Sequence, residues 1–236
     1  MAGDAWDLYR CLRRSNPAPF AAYLELPEVA IVGSSPERFL RVSEDRRVES
    51  RPIKGTRRRS PDPEIDASLR LDLERSEKDR AENLMIVDLV RNDLGRVCQT
   101  GSVEVPELMQ IEDYASVFQM VSTVTGRLRP DCQVADLIRA TFPPGSMTGA
   151  PKIAAMKIID RLEESRRGIY SGALGYIDVR GTLDLCVVIR TALVSDGRVA
   201  IQSGGGIVAD SEPEAELRES LDKARPLLDA LRAVET

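Results

Sequence analysis

The sequence predicts an α+β fold, and three observations carry that expectation. Short β-rich runs gather in two groups, at 20–26, 29–33, 38–42 and 47–50 and again at 171–178, 183–194 and 198–203. Helical patterns lie between and outside these groups, so strands and helices do not alternate as a parallel α/β sheet requires. Arg180-Gly181 and Asp196-Gly197 place tight turns between the later strands, which predicts an antiparallel meander.

The elements follow in order. Asp4 caps a helix over 5–14 whose apolar side carries Leu8, Cys11 and Leu12, and Asn16-Pro17-Ala18-Pro19 breaks it. The Arg- and Pro-rich stretch 57–63 reads as a loop. Ser76-Glu77-Lys78-Asp79 resembles a capping box and opens a helix to about Asn92, with Gly95 as its stop. A short helix is expected over 134–140. Another starts near Ala150-Pro151, proline suiting a first turn, and runs to about Arg166. The last spans 213–234.

Composition narrows the chemistry. The chain has 236 residues, enough for a substantial core, with 42% hydrophobic and 30% charged residues. A net charge of -5 argues against nucleic-acid binding, for which a basic domain is expected. Four scattered cysteines (Cys11, Cys98, Cys132, Cys186) form no Cys-x-x-Cys pair and are expected to be buried free thiols of a reducing compartment. No apolar run reaches the length of a membrane span, and the N-terminus lacks the pattern of a signal peptide. A cytoplasmic protein with neither nucleic-acid nor membrane partners is expected. Histidine is absent, so acid–base work falls to Glu, Asp, Lys, Tyr or Cys. A metal, if held, is a hard cation on carboxylates, magnesium before zinc.

Lys54 stands out, in Arg51-Pro52-Ile53-Lys54-Gly55-Thr56-Arg57, with Arg58 and Arg59 following. Cations crowded around an amine favour its neutral, nucleophilic form, so Lys54 is the candidate nucleophile. The competing reading is a solvated basic loop. Glu216, Glu219 and Lys223 share one face of the last helix, which is also what a plain charged surface looks like. Two neighbours favour a site: Ser203-Gly204-Gly205-Gly206, whose backbone N–H groups can approach an anion, and Glu82 on the polar side of the helix bearing Leu84, Met85 and Leu89. Three carboxylates from two helices suit an octahedral cation that keeps some waters.

The run from Pro143 to Lys152 places hydroxyls and glycines, Ser146 among them, at a helix start, an anion site or an ordinary cap. It is not a Walker A loop, since Ala150 and Pro151 separate Gly149 from Lys152. Arg190, expected in mid-strand among apolar residues, requires an anionic partner, either a structural carboxylate or a ligand. Glu37, after an apolar strand and a proline turn, can serve as a general acid if partly buried.

Together these segments resemble the chorismate-utilising enzymes. The matching runs are SSPERF, RPIKGTR, SEKDRAENLMIVDLVRNDLGRVC, FPPGSMTGAPK, YSGALGY, VIRTALV and GGGIVADSEPEAELRESLDKA, in the family's order from about residue 16 onward. The resemblance implies two packed, mainly antiparallel sheets flanked by helices, with 1–236 as one chorismate-binding catalytic domain. It also implies that the N-terminal half of the family's fold is missing, which is expected to leave strand edges exposed. Anthranilate-forming members resemble Pro-Ile-Ala-Gly-Thr, and aminodeoxychorismate-forming members Pro-Ile-Lys-Gly-Thr. Lys54 therefore implies amination of chorismate at C4 on the route to 4-aminobenzoate and folate, with ammonia from a glutamine amidotransferase partner. Anthranilate synthesis and an inactive chorismate-binding module are the alternatives. Carried over residue by residue, Lys54 is implied as nucleophile and Glu37 as general acid. Glu82, Glu216 and Glu219 match magnesium ligands. Tyr170, Arg190, Gly204, Gly206 and Lys223 match substrate-carboxylate contacts, and Ser146 lines the pocket. One departure is Gln119, where many members carry a histidine, and it argues against aromatising pyruvate elimination.

Overall fold

The structure, a computed structural model, describes residues 4–209 and 211–235; Met1–Gly3, read above for a signal sequence, lie outside them. Helix α1 (Ala5–Ser15) begins where expected, the Asp4 carboxylate accepting from the Asp7 N–H at 2.8 Å. It stops at Asn16 because Pro17 cannot continue it. Strands β1 (Phe20–Glu25), β2 (Ala30–Ser35), β3 (Arg38–Val42) and β4 (Arg47–Arg51) match the first predicted group.

The next stretch departs from expectation. Strand β5 (Ile53–Arg58) extends into the predicted loop, and helix α2 (Pro63–Arg75) starts at that loop's end, with Asp62 accepting from the Glu64 and Ile65 N–H groups. Pro63 sits at the first helical position, so the proline marks a start and not a continuing loop. Helix α3 (Glu77–Gly95) is capped by Ser76, which accepts from the Asp79 N–H. Its buried face is Asn83, Ile86, Val87, Val90, Asp93 and Leu94, whereas Leu84, expected on an apolar face, is exposed.

Strands β6 (Glu104–Asp113) and β7 (Val117–Arg127) have no counterpart in the sequence expectation. Almost all of β7 is buried, including Gln119, Ser122, Thr123 and Thr125. Helix α4 (Val134–Thr141) follows, then a 3-10 turn at Gly145–Met147. Helix α5 (Lys152–Leu162) ends four residues before the predicted Arg166. The remaining elements are β8 (Ala173–Ile177), β9 (Leu183–Val187), β10 (Thr191–Ser195), β11 (Arg198–Ile201) and α6 (Pro213–Glu235). The strand expected over 183–194 is thus two strands, interrupted at Val188–Arg190, where Arg190 takes φ 48°.

The chain forms two compact units. One takes in the chain to Pro36, Arg167–Gly172 and Val187 onward. It carries a four-stranded antiparallel sheet in the order β1-β2-β10-β11. Its core joins Leu8 and Leu12 of α1, Val32 of β2, Ala192 of β10 and Leu227 and Ala230 of α6. The spacing of Leu8 and Leu12 puts both on one helical face, so burial of that face is what keeps α1 folded.

The other unit, Glu37–Arg166 with Ala173–Cys186, holds a seven-stranded sheet in the order β5-β7-β4-β3-β9-β8, with β6 also paired to β7. The expected single meander is therefore two pairings: β8 with β9 here, and β10 with β11 in the four-stranded sheet. Strands β4 and β5 run in succession along β7, with Pro52 between them. Leu73 of α2 forms a buried cluster with Phe118 and Met120 of β7.

Gly55 has φ 83°, and a Cβ there would lie 2.7 Å from Leu73 Cδ1 and 2.8 Å from Asp79 Cγ. Gly55→Ala is expected to cost about 1–3 kcal/mol, from a strained backbone and a displaced core leucine together. Urea denaturation of the two proteins measures this.

Candidate active site

Lys54 lies on β5 where the ladder is irregular. Ile53 pairs with Val121 and Thr56 with Gln119, so Lys54 and Gly55 occupy a bulge. A bulge re-aims a side chain out of its regular alternation, and the left-handed Gly55 permits it. The half-buried Lys54 points its Nζ at the Ser146 carbonyl oxygen, 3.4 Å away. The structure thus brings together two residues that the sequence separates by 92 positions.

The cation crowding expected around Lys54 is weakened, because three of the four neighbouring arginines are in ion pairs. Arg51 pairs with Glu112, Arg57 with Asp72 at 2.6 Å and Asp79 at 3.1 Å, and Arg59 with Asp66 at 2.7 Å. Tertiary carboxylates invisible to a local sequence argument neutralise them. What distinguishes Lys54 is its place in the bulge and its carbonyl partner.

Ser146 belongs to the 3-10 turn inside the run from Phe142 to Lys152. The lysine that ends this run is engaged within the protein. Lys152 turns inward and donates to Asp93 Oδ2 at 2.6 Å and to the carbonyls of Thr141 at 2.7 Å and Pro143 at 2.9 Å. Burial pushes the Asp93 carboxyl up, against the opposing pull of Lys152. Gly145 is needed at close quarters: a Cβ there would sit 2.9 Å from Leu89 Cδ2 of α3.

Glu37 is buried, 5% exposed, immediately before β3. Glu82 is half-buried on α3, 3.9 Å from Lys78. Gln119 is fully enclosed on β7, in register with Thr56 of β5 and Glu112 of β6. Beside Glu82, Asn83 accepts from the Ser122 hydroxyl at 2.5 Å, and that hydroxyl accepts from the Met109 N–H at 2.9 Å. These pairs explain how polar residues sit inside β7.

The remaining predicted residues gather in the other unit. Glu216, Glu219 and Lys223 lie on α6 facing the glycine run. A Cβ at Gly205 would be 2.9 Å from Glu216 Oε2, 3.9 Å from Glu219 Oε1 and 4.0 Å from Lys223 Nζ. Gly205, the glycine not singled out from sequence, is the one these side chains crowd. Lys223 donates to the Gly204 carbonyl at 3.1 Å and pairs with Glu219 at 2.7 Å. Glu216, 7% exposed, accepts from the Ser211 hydroxyl at 2.6 Å, and Ser203 donates to the Ser220 carbonyl. Tyr170 brings its hydroxyl within 3.4 Å of a Cβ position at Gly204, while Gly206 follows half-buried. Arg190 is half-buried in the short irregular link between β9 and β10, not in mid-strand.

No group of three or more His, Cys, Asp or Glu side chains that could hold a metal occurs among the described residues. Glu216 and Glu219 do converge as a pair of hard oxygen donors on Gly205. One or two carboxylates, with waters and a ligand completing the shell, is the usual donor set for magnesium, so this pair fits it. The cysteines bear no part of the site. All four are free, three of them buried, and burial pushes the Cys98 thiol up to about 11, which keeps it protonated. No helix among the described residues is long and apolar enough to cross a membrane.

Known proteins resemble this chain in sequence and in fold. An aminodeoxychorismate synthase of Streptomyces pristinaespiralis is 55% identical over 229 residues, covering 97% of this chain and 32% of the relative. The anthranilate synthase component 1 of Aquifex aeolicus (strain VF5) is 48% identical over 233 residues, 99% of this chain and 47% of its own. The chain thus spans about a quarter to a half of the length of the curated relatives it matches. Among solved structures, anthranilate synthase component I from Streptococcus pneumoniae TIGR4 superposes with a TM-score of 0.86 at 39% identity, over 95% of this chain and 49% of that one. The family described as chorismate binding enzyme matches residues 1–229, and with so complete a match this chain belongs to that family.

Proposed function

We propose that this chain is the catalytic part of an aminodeoxychorismate synthase, which replaces the C4 hydroxyl of chorismate by an amino group. The carrying observation is Lys54: an amine set in a bulge, half-buried and held to the Ser146 carbonyl. The high identity to a named aminodeoxychorismate synthase supports the same reading.

In this reading the Lys54 amine adds to C2 of the ring. The two ring double bonds shift, and the C4 hydroxyl leaves as water with a proton from Glu37. Ammonia then adds at C4, the double bonds shift back, and the C2–N bond to Lys54 breaks. A proton lost by the incoming ammonia restores the balance at Glu37. Glu37, 5% exposed, is assigned the acid role through the resemblance. Tyr170, Arg190, Lys223 and the backbone at Gly204 and Gly206 are assigned to the two carboxylates of chorismate.

Magnesium is assigned to Glu216 and Glu219, whose convergence on Gly205 supports it; for Glu82 the assignment rests on the resemblance alone. Held there, such a cation would supply positive charge to an anionic substrate. A glutamine amidotransferase partner supplies ammonia, and the pathway is that of 4-aminobenzoate and folate in the cytoplasm.

Incubation with chorismate, magnesium and ammonium, with products read by liquid chromatography and mass spectrometry, tests the proposal. 4-Amino-4-deoxychorismate is the expected product. Anthranilate would overturn the assignment in favour of the other named relative. Magnesium-dependent chorismate binding without any product would overturn it in favour of a binding module.

A further inference from the structure

The loop that carries Ser146 has few anchors. Helix α5, which follows it, buries none of its residues and has no side-chain cap at its start. Phe142, at the other end, is 45% exposed and meets Phe39 edge to face, ring centroids 6.4 Å apart. The Thr148 hydroxyl bonds only within the loop, to the Pro144 and Gly145 carbonyls. Gly145 against Leu89 and Lys152 against Asp93 hold the segment on α3.

The second is the more demanding. The Lys152 and Asp93 side chains are 12% and 7% exposed, so neither charge can be satisfied by water if the other leaves. An ammonium has three donors, and Lys152 has three acceptors at 2.6, 2.7 and 2.9 Å: the Asp93 carboxylate and the Thr141 and Pro143 carbonyls. The carbonyls belong to the two sides of the junction where α4 ends and the loop begins. Lys152 therefore clasps the loop's end to its beginning, and both to α3. Ser146 lies inside the closed segment.

We infer that the Lys152–Asp93 clasp is a positioning device for Lys54, holding the Ser146 carbonyl in place so that it orients the Lys54 amine. Lys152 acts through the loop and touches neither Lys54 nor substrate. Any catalytic consequence rests on the reading of Lys54 as nucleophile; the mechanical coupling does not.

Competitive labelling of lysine amines with acetic anhydride, resolved by peptide mass spectrometry, reads the coupling without chorismate. Lys78 and Lys157 serve as internal references, since Lys157 is exposed on α5 and Lys78 sits at 44% exposure on α3. In Lys152→Met, the Lys54 rate relative to both references is expected to rise about fivefold or more, as the amine loses its carbonyl and the loop opens. Because a lone buried carboxylate can unfold the protein, Asp93→Asn with Lys152→Met is the second variant; it leaves no unpaired charge and is expected to show the same rise. A cooperative melt shows that each variant is folded. An unchanged Lys54 ratio in a folded variant overturns the inference and leaves Lys152 a stabilising residue only. Failure of the functional reading shows elsewhere, as absence of any chorismate adduct on wild-type Lys54.

Discussion

Lys54→Ala is expected to abolish the covalent adduct with chorismate and to lower 4-amino-4-deoxychorismate formation by about a thousandfold or more. With magnesium present and ammonia withheld, the wild-type adduct has no second nucleophile to discharge it. Intact mass spectrometry then shows the added mass, and peptide mapping places it. The variant loses only an amine from a half-buried strand position, so its fold and its chorismate affinity are expected to change little. This separates a nucleophile from a binding cation. A cation that merely held a carboxylate would raise KM and leave kcat in place, whereas loss of the nucleophile lowers kcat. A parent rate of product formation by Lys54→Ala, with free ammonia, would end the nucleophile role.

Glu216→Gln is the second large effect. Glu216 is held by the Ser211 hydroxyl and pressed against Gly205, so its carboxylate has little freedom to relax. The amide keeps that shape while removing the charge. Chorismate titration by calorimetry is expected to show tight binding only with magnesium in the parent. The variant's magnesium affinity is expected to fall by about a hundredfold. Without magnesium the two proteins should bind chorismate equally weakly. Equal affinity with and without magnesium in the parent would remove the metal from this site, and an unperturbed variant would remove Glu216 from it.

Elements set by interactions within a few residues were legible in the sequence. Asp4 and Ser76 cap the helices they predict, because an N-cap needs only a side-chain oxygen and an N–H two or three residues on. Strands β1 to β4 follow from β-rich runs between turn signals. Strand β7 did not, although it pairs with three others in the seven-stranded sheet. Its Ser122 and Thr123 interrupt an apolar pattern, and they are buried because Asn83 and Glu107 supply hydrogen bonds from distant positions. The break at Arg190 was equally hidden. A run of apolar residues reads as one strand, and only separate pairing of β9 and β10 splits it.

The candidate site divides in the same way. Motif order in the sequence was enough to place the chain in its family and to mark Lys54, Glu37, Glu216, Glu219 and their companions as candidates. Its local argument for Lys54, a crowd of arginines, failed because Asp66, Asp72, Asp79 and Glu112 pair with three of them. Only the tertiary structure decided that Lys54 sits in a bulge against the Ser146 carbonyl, that Gly205 is the glycine Glu216 and Glu219 crowd, and that Lys152 is a buried clasp. The physical reason is range. Caps, turns and motif order act over a few residues of chain, while the partner of a charge is chosen by whichever group the fold carries to within about 3 Å of it.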